Sequence, residues 1–454
     1  MNFKGIEITL KNTPKYDPGF IPMALFNREF LKLAKKPIAI CVERNGGLRA
    51  TYDTFVTGTN TEADRYYTER MVKYLLWAKG GYKVTICGDD EIASYIKEVY
   101  SPTGKYAFDN GFMTKVYEKP FEVHALPLSE KPPENEQSKP VGGKTDGCRI
   151  GFDAGGSDRK VSAVVDGEAI FSEEVVWHPK TNTDPDYHFN GIVDALKTAA
   201  SKMPRVDSIG VSSAGIYIDN RTMAASLFLK VPQDAFNAKV KDIYIRAAKE
   251  IGDVPLSVVN DGDVTALAGA MEFGDNNVLG IAMGTSEAGG YIDENGNIKG
   301  WLNELAFCPV DASPNAMADE WAGDIGCGVK YFSQDGVIKL AEKAGITFDS
   351  NLSPGEKLKI VQDMFINPEK TAMVKDIFHS IGCYLGHTLP YYHDLYGFKH
   401  VLLLGRVMSG EGGNIILDTA KKVIAEEYTN YKFNMHTPDE KARRVGQSVA
   451  AASL

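Results

Sequence analysis

A polar stretch at residues 126–147 divides the chain more sharply than any other feature of the sequence. It reads LPLSEKPPENEQSKPVGGKTDG and is rich in Pro, Glu, Lys and Gly, with almost no apolar side chain. Such a segment buries too little surface to offset its ordering entropy, so it predicts a linker or a long loop. We therefore expect a small module at 1–125 and a larger unit at 148–454.

Composition and charge narrow the class of protein. Of the 454 residues, 43% are hydrophobic, and the net charge of -10 argues against a uniform basic surface for nucleic acid. No apolar run reaches the roughly 18 residues of a membrane span, and the N-terminus has no signal-peptide pattern. The 6 cysteines are scattered without paired spacing, which predicts reduced, mostly buried thiols. These features predict a cytoplasmic enzyme that binds neither nucleic acid nor membranes.

The first 125 residues show the pattern of a small α/β module. Strands are expected at 37–43 and 50–56, joined by a turn at Asn45–Gly47, and a helix is expected over 63–81. A further strand and helix follow. No catalytic constellation is visible in the module. A helix-turn-helix is disfavoured because a strand separates the helices and they show no clustered basic face.

After the polar stretch, the pattern predicts a layered α/β unit. It begins with three strands, a helix and a strand, and continues with a helix over 237–251 and another over 263–272. Two paired strands come next, and from about 330 the chain is mainly helical, broken by one apolar strand at 400–405. We expect two lobes, at 148–265 and 266–454.

The first loop of chemical interest follows the apolar strand that ends at Asp153. Gly155, Gly156 and Ser157 form its turn. Glycines let backbone N–H groups approach a polyphosphate, and an Asp at a strand end can hold hydrated Mg²⁺. The plainer interpretation is a hairpin closed by two glycines, and this loop alone favours that interpretation.

A second loop of the same kind begins with Gly284 and Thr285, again directly after an apolar strand. Its hydroxyls and glycine amides suit phosphate oxygens, although another hairpin turn is the alternative. Two such loops, each opening a hairpin, favour a phosphate held between two similar lobes.

The pair Asn260–Asp261 ends one strand and opens an Ala-rich helix. An Asp in this place can accept the proton of a substrate hydroxyl that attacks phosphorus. The alternative is as strong, because Asn and Asp are favoured helix caps. Asp263 is the rival carboxylate, but its place in the first helical turn suggests that it serves the helix dipole.

Three weaker signals complete the set of candidate residues. Gly405 opens a glycine-rich loop that can pass under a nucleotide base, or is an ordinary strand-to-helix turn. Gly215 ends a strand among small residues. Glu304 can accept sugar hydroxyls, or is a surface carboxylate.

Taken in order, these segments resemble the ROK family (repressors, open reading frames and sugar kinases) of the actin-like ATPase superfamily. The similarity extends over about 148–454, through the segments 151–160, 210–219, 258–270, 283–300, 302–311, 402–413 and 445–454. It implies a two-lobed actin-like ATPase (ribonuclease H-like) α/β fold, with the active site between the lobes and the small α/β module preceding them. It also implies an ATP- and Mg²⁺-dependent sugar kinase that forms a homodimer.

The resemblance assigns a role to each candidate residue. Asp261 would be the general base, and Asp153 would hold Mg²⁺ through water. The sugar would contact Asn260, Glu304 and Gly215, and the nucleotide would contact Asp153, Gly155, Gly156, Ser157, Gly284, Thr285 and Gly405.

The chain also departs from the family pattern. The family zinc site uses a His and the cysteines of Cys-x-Cys-Gly-x-x-Gly-Cys, but here the His position is Phe307 and only Cys327 remains. One thiolate cannot form a tetrahedral site, so no zinc is expected. A glutamate that contacts the sugar in the family falls at Val329. Losing two polar contacts costs about 1–3 kcal/mol each for a sugar that used them, so we expect a substrate that is not bound in the usual glucokinase manner.

Two other functions stay open at this point. Phe307, Val329 and the extra module favour a non-catalytic sugar-binding or regulatory protein. An actin-like ATPase without a sugar acceptor is the third hypothesis. The sequence does not identify the sugar, the hydroxyl or the role of residues 1–125.

Overall fold

The computed structural model describes residues 1–136, 142–438 and 446–454. Part of the predicted linker, residues 137–141, lies outside these ranges. All of the cysteines are buried and free of disulfide bonds, as the sequence predicts. None of the helices in the described ranges combines the length and the apolar character that crossing a bilayer requires.

The N-terminal module is a four-stranded sheet with the order β4-β3-β5-β6, accompanied by helices. Its β3 and β4 form the predicted hairpin around a 3-10 turn at Asn45–Gly47. Its elements are β1 (Asn2–Phe3), β2 (Ile6–Glu7), α1 (Met23–Leu33), β3 (Lys36–Glu43), β4 (Arg49–Val56), α2 (Thr61–Ala78), β5 (Lys83–Cys87), α3 (Asp90–Val99), α4 (Ala107–Tyr117) and β6 (Glu122–Leu126).

The first lobe is built on a five-stranded sheet with the order β13-β10-β7-β8-β9. The predicted succession of three strands, a helix and a strand is present. Its elements are β7 (Cys148–Ala154), β8 (Asp158–Val165), β9 (Glu168–Val176), α5 (Pro185–Ala200), β10 (Ser208–Ser213), β11 (Ile216–Ile218), β12 (Arg221–Ala224), α6 (Gln233–Ala235), α7 (Ile243–Lys249) and β13 (Leu256–Asn260).

The predicted helix over 237–251 is wrong in one respect, because it is interrupted. A π-helical turn occupies Phe236–Val240, and α7 begins only at Ile243. At the break, the amide of Thr222 in β12 donates a hydrogen bond of 2.8 Å to the carbonyl of Lys241. The neighbouring strand thus binds main chain that the sequence pattern assigns to one continuous helix.

The second lobe has a four-stranded sheet with the order β15-β14-β16-β17 and a large helical part. Its elements are α8 (Asp261–Phe273), β14 (Val278–Met283), β15 (Glu287–Ile292), α9 (Gln334–Lys343), α10 (Pro354–Asp363), α11 (Pro368–Tyr396), β16 (His400–Leu404), α12 (Gly410–Glu427), β17 (Asn434–His436) and α13 (Gly446–Ala452). The segment 445–454, which resembles the closing helix of the ROK family, forms α13, and its first residue, Val445, lies outside the described ranges.

The N-terminal module and the second lobe share one hydrophobic core. Tyr74 of α2 and Tyr391 of α11 illustrate this, since their rings stack with a centroid distance of 4.2 Å and both are buried. The sheet of the first lobe has a separate core. The helix α13 packs on β7, β8 and β10 of that sheet, although it follows the second lobe in the sequence. The predicted boundaries of the module, the linker and the two lobes, at residues 125, 147 and 265, stay predictions.

Candidate active site

The candidate site lies at the carboxyl ends of three parallel strands in the first lobe. The register of β7, β10 and β13 places Asp153 opposite Ser212, and Ser213 opposite Asn260. Polar residues that follow neighbouring parallel strands therefore meet at one edge of the sheet. This geometry brings Asp153, the Gly215 turn and Asn260 together.

Asn260 connects two of the predicted segments through its side chain. Its Oδ1 accepts a hydrogen bond from the amide of Gly262 at 2.7 Å, so it is the N-cap of α8. Its Nδ2 donates to the carbonyl of Gly215 at 2.7 Å. Gly215 has φ 145°, and a Cβ there would lie 2.4 Å from the carbonyl oxygen of Ala224. Only glycine permits this approach of two main chains.

Asp261 is the first residue of α8, and the start of this helix is fixed by a contact between two glycines. A Cβ on Gly290 of β15 would lie 2.0 Å from the carbonyl oxygen of Gly262. The main chain of the helix therefore lies directly against the main chain of the strand that follows the second glycine-rich loop. This contact fixes the first turn of α8, where Asp261 lies, against β15.

The acidic residues of the site influence one another electrostatically. Burial raises the pKa of Asp261, while the amide of Gly262 and the charge of Lys180 lower it. Burial also raises the pKa of Asp153 to about 6 and that of Glu304 to about 7, and in both the charge of Asp261 adds to the increase. The three carboxyl groups therefore share one environment.

Asp263 does more than serve the helix dipole. Its Oδ1 accepts hydrogen bonds from the amide of Tyr291 at 3.0 Å and from Nδ2 of Asn303 at 2.9 Å. Burial raises its pKa to about 7. The rival carboxylate thus connects α8 to β15 and to the segment that carries Glu304.

The first glycine-rich loop is the turn of the β7–β8 hairpin, as the plainer interpretation states. A Cβ on Gly155 would lie 2.6 Å from the carbonyl oxygen of Asp158, and the carbonyl of Gly155 accepts a hydrogen bond from Nε1 of Trp177 at 2.8 Å. The exposed Ser157 donates to the carboxylate of Asp158 at 3.0 Å. Asp153, just before the turn, accepts a hydrogen bond from Oγ of Ser212 at 2.8 Å.

Lys180 is a candidate residue that the sequence analysis missed. It lies in a 3-10 turn, Pro179–Thr181, after β9. Its Nζ is 2.9 Å from the point that a Cβ on Gly156 would occupy, and its charge lowers the pKa of Asp261. No motif marks this lysine, since its place depends on how the turn folds back over the hairpin.

The second glycine-rich loop and the predicted adenosine loop adjoin each other. The carbonyl of Gly284 accepts a hydrogen bond of 2.8 Å from the amide of Gln334, at the start of α9, and Thr285 beside it is exposed. Gly405 has φ 103°, and a Cβ there would lie 2.4 Å from the carbonyl oxygen of Met283. The structure thus brings Gly284, Thr285 and Gly405 to one end of β14 and β16.

Glu304 is placed by the N-terminal module, which the sequence analysis left without a role. The amide of Glu304 donates a hydrogen bond of 3.0 Å to the carbonyl of Trp77, the penultimate residue of α2. Phe307, at the family's zinc-histidine position, stacks on Trp77 with a centroid distance of 4.2 Å.

Cys327, at the remaining zinc-cysteine position, faces the same helix through Asp324. The buried thiol is 3.5 Å from Oδ2 of Asp324, which pairs with Arg70 at 2.7 Å and with Lys73 at 3.4 Å. Within the described ranges, no group of three or more potential metal-ligating side chains is present. Both segments that correspond to the family's zinc site therefore contact α2.

The sequence matches no protein-family model and no curated protein sequence. Solved structures do match. The ROK hexokinase of Thermus thermophilus superposes with a TM-score of 0.52 and 16% identity, over 67% of this chain and 96% of that one. A ROK family glucokinase from Streptomyces griseus, in complex with glucose and AMPPNP, gives a TM-score of 0.49 and 20% identity, over 67% and 98%.

At such identities, the likeness to the hexokinase establishes the fold alone. The chain has the two-lobed, actin-like α/β fold of the ROK-type sugar kinases, with a small α/β module before it. This confirms the predicted fold class.

Proposed function

We propose that the protein transfers the γ-phosphoryl group of ATP to a hydroxyl of a sugar or a sugar-like polyol. One observation carries the proposal: Asp261 begins α8 at the point where the first glycine-rich loop, the Asn260–Gly215 contact and Glu304 converge. A base beside two candidate phosphate loops suits phosphoryl transfer to an alcohol.

Asp261 would act as the general base. It accepts the proton of the sugar hydroxyl while that oxygen bonds to the γ-phosphorus and the bond to the ADP oxygen breaks. Burial raises the pKa of Asp261, which makes the carboxylate a stronger base than an exposed aspartate.

Asn260, Glu304 and Gly215 would hold the sugar. Oδ1 of Asn260 caps α8 but retains a second lone pair that can accept from a sugar hydroxyl. Glu304, with a pKa raised to about 7 by burial and by neighbouring carboxylates, can donate or accept near neutral pH. The carbonyl of Gly215 is held in place by Asn260.

The nucleotide would lie along the two hairpin loops, with Gly155, Gly156, Ser157, Gly284 and Thr285 at its phosphates and Gly405 at its adenosine. Asp153 fits a hydrated Mg²⁺, since it offers a hard carboxylate oxygen at the loop and is oriented by Ser212. When bound, Mg²⁺ supplies neutralisation of phosphate charge. The structure gives no set of ligands for zinc in the described part of the chain, and zinc is not part of the proposal.

Lys180 would stabilise the charge on the transferred phosphoryl group. Its ammonium group lies beside Gly156 and acts electrostatically on Asp261. A cation between the phosphate loop and the base is placed where negative charge passes during transfer.

The test is ADP release by the purified protein with Mg-ATP and a panel of hexoses, amino sugars and N-acetylated sugars. We expect sugar-dependent release that falls about 10²–10⁴-fold in Asp261→Asn. Asp263→Asn is the matched control, two residues along the same helix. The Asp263→Asn side chain keeps an oxygen that can accept the hydrogen bonds of Tyr291 and Asn303. The rate of ADP release by this variant should therefore stay within about tenfold of the wild-type rate.

The same assay separates the alternatives. Tight sugar binding without ADP release would support a non-catalytic sugar-binding or regulatory protein. ADP release that no sugar changes would support an actin-like ATPase. Equal losses in Asp261→Asn and Asp263→Asn would contradict the assignment of the base. A homodimer and a cytoplasmic location stay predictions, which light scattering and cell fractionation can test.

A further inference from the structure

We propose that the N-terminal module is part of the sugar site, because the end of α2 positions the Glu304 segment, defined as residues 301–308. Trp77 and Phe307 are the positioning residues in this proposal. It rests on the proposed function, since it assigns the module a part in holding the same substrate.

Main-chain hydrogen bonds join the helix to the segment. The last carbonyls of an α-helix have no partner within the helix. In α2, the carbonyl of Ala78 accepts from the amide of Asn303 at 2.9 Å, and that of Trp77 accepts from the amide of Glu304 at 3.0 Å. The main chain of Glu304 is therefore fixed relative to the end of α2.

Stacked rings add a second constraint. Trp77 is fully buried, and its ring contacts Phe307 at a centroid distance of 4.2 Å on one side and Phe112 of the module at 4.9 Å. Its Nε1 donates to Asp109, also in the module. Trp77 cannot shift without breaking contacts inside the module, so Phe307 rests against a rigid surface.

Buried charges hold the same face of α2 against the second lobe. Arg70 pairs with Asp324 at 2.7 Å and donates to the carbonyl of Ile325 at 3.0 Å. Lys73 pairs with the same Asp324 at 3.4 Å and with Asp109 of the module at 2.8 Å. All four charged side chains are at most 6% exposed. A buried charge that loses its partner is strongly unfavourable, so these pairs fix the position of α2.

The segment is in turn connected to the catalytic helix. Asn303 donates through Nδ2 to Asp263 of α8 at 2.9 Å, and its Oδ1 accepts from the hydroxyl of Tyr396 at 3.0 Å. A displacement of the segment therefore reaches the first turn of α8, where Asp261 lies. The module thereby influences both a sugar contact and the placement of the base.

The experiment removes the ring that the segment places against α2. In Phe307→Ala, sugar Kd from calorimetry and the KM for the sugar are measured beside the KM for ATP. Hydrogen exchange of the peptide covering 301–308 reports on the segment without any ligand. Phe307→Tyr restores a ring. Phe433→Ala is the matched control. Phe433 is also a partly exposed ring, it packs edge-to-face on Phe398 at a centroid distance of 4.8 Å, and its ring contacts do not include the Glu304 segment.

We expect Phe307→Ala to exchange at least tenfold faster at residues 301–308 and to raise the sugar Kd and KM at least tenfold, with the KM for ATP within twofold. Phe307→Tyr should recover most of both effects, and Phe433→Ala should show neither. Exchange in peptides from β7 checks that the variants are folded.

The outcomes separate this inference from the proposed function. Unchanged exchange at 301–308 in Phe307→Ala overturns the positioning role, whatever the sugar does. Faster exchange with an unchanged sugar Kd overturns it as well, because the segment then does not determine affinity. If the wild type binds no sugar, the proposed function fails and the assignment of the module to a sugar site fails with it. In that case faster exchange still identifies the contact with α2 as a structural one.

Discussion

The side-chain amide of Asn260 donates a hydrogen bond to the main-chain carbonyl of Gly215, with an N···O distance of 2.7 Å. Because Oδ1 of the same side chain caps α8, one residue ties the helix of the proposed base to a turn of the proposed sugar site. The two functions use different atoms, so a substitution can remove one and keep the other.

We expect Asn260→Asp to keep the helix cap and to lose the bond to Gly215, since a carboxylate accepts hydrogen bonds but donates none. The sugar KM should rise at least tenfold, with a loss of about 1 kcal/mol in the free energy of unfolding. Steady-state kinetics and urea unfolding measure these changes. Asn367→Asp makes the same change at the N-cap of α11, and a similar rise in sugar KM there would contradict the assignment.

Lys180→Gln should lower kcat by about tenfold or more, because it removes a charge beside the phosphate loop. The charge of Lys180 also lowers the pKa of Asp261. Without it the base is deprotonated only at higher pH, so the acidic limb of the pH–rate profile should move to higher pH. Lys197→Gln, which removes an exposed lysine paired with Glu250, should leave both unchanged. A profile that does not move in Lys180→Gln would count against this role.

Two glycines near the predicted adenosine loop offer a test of nucleotide binding. A Cβ on Gly405 would lie 2.4 Å from the carbonyl oxygen of Met283, whereas Gly410 has φ 66° and no atom within 4 Å of an added Cβ. Alanine therefore strains the backbone at both positions, because both have a positive φ, but it collides with another main chain only at 405. We expect Gly405→Ala to raise the KM for ATP several-fold more than Gly410→Ala, with the sugar Kd unchanged. Equal effects would argue that the loop does not contact the nucleotide.

Glu287 at the start of β15 should make stability depend on pH. Burial raises its pKa to about 8, while an unfolded glutamate titrates near 4.3. A group with a raised folded pKa contributes stability that is fully present below the unfolded pKa and is lost as the pH rises through the folded pKa. Between about pH 4.5 and 8, this group alone should lower the free energy of unfolding by roughly 2–4 kcal/mol.

Glu287→Gln removes this titration, so its free energy of unfolding should fall less between pH 5 and pH 8 than that of the wild type. Urea denaturation at both pH values measures the difference. Asp263 and Glu304 have pKa values raised to about 7 and contribute with the same sign, so some dependence should persist. Glu272→Gln, at an exposed position of α8, should behave as the wild type. An identical pH dependence in wild type and Glu287→Gln would refute the role of Glu287.

The parts of the fold that depend on local pattern are predictable from the sequence. Apolar strands ending in small or polar residues mark β7, β10 and β13, and their parallel pairing then brings Asp153, Gly215 and Asn260 to one edge. The likeness to the solved hexokinase structure confirms the fold class that these patterns and the family resemblance predict. The roles of the site residues stay predictions.

What the sequence does not reveal depends on contacts between distant segments. Lys180 is near Gly156 only because its turn folds over the hairpin. The stack of Trp77 on Phe307 requires the module and the second lobe to be docked already. Periodicity and turn residues describe segments one at a time, so they cannot show that two segments pack together. Phe307 is therefore visible in the sequence as a departure from a pattern, but its partner is not.

The shared core of the module and the second lobe constrains the order of events during protein synthesis. Tyr74 stacks on Tyr391, which is 317 residues further along the chain. At about 5–20 residues per second, the ribosome needs about 15–60 s to synthesise the intervening chain. Throughout that interval, the nascent module lacks the rings and carboxylates that complete its packing. The module thus reaches its final structure only after a much later part of the chain has been synthesised.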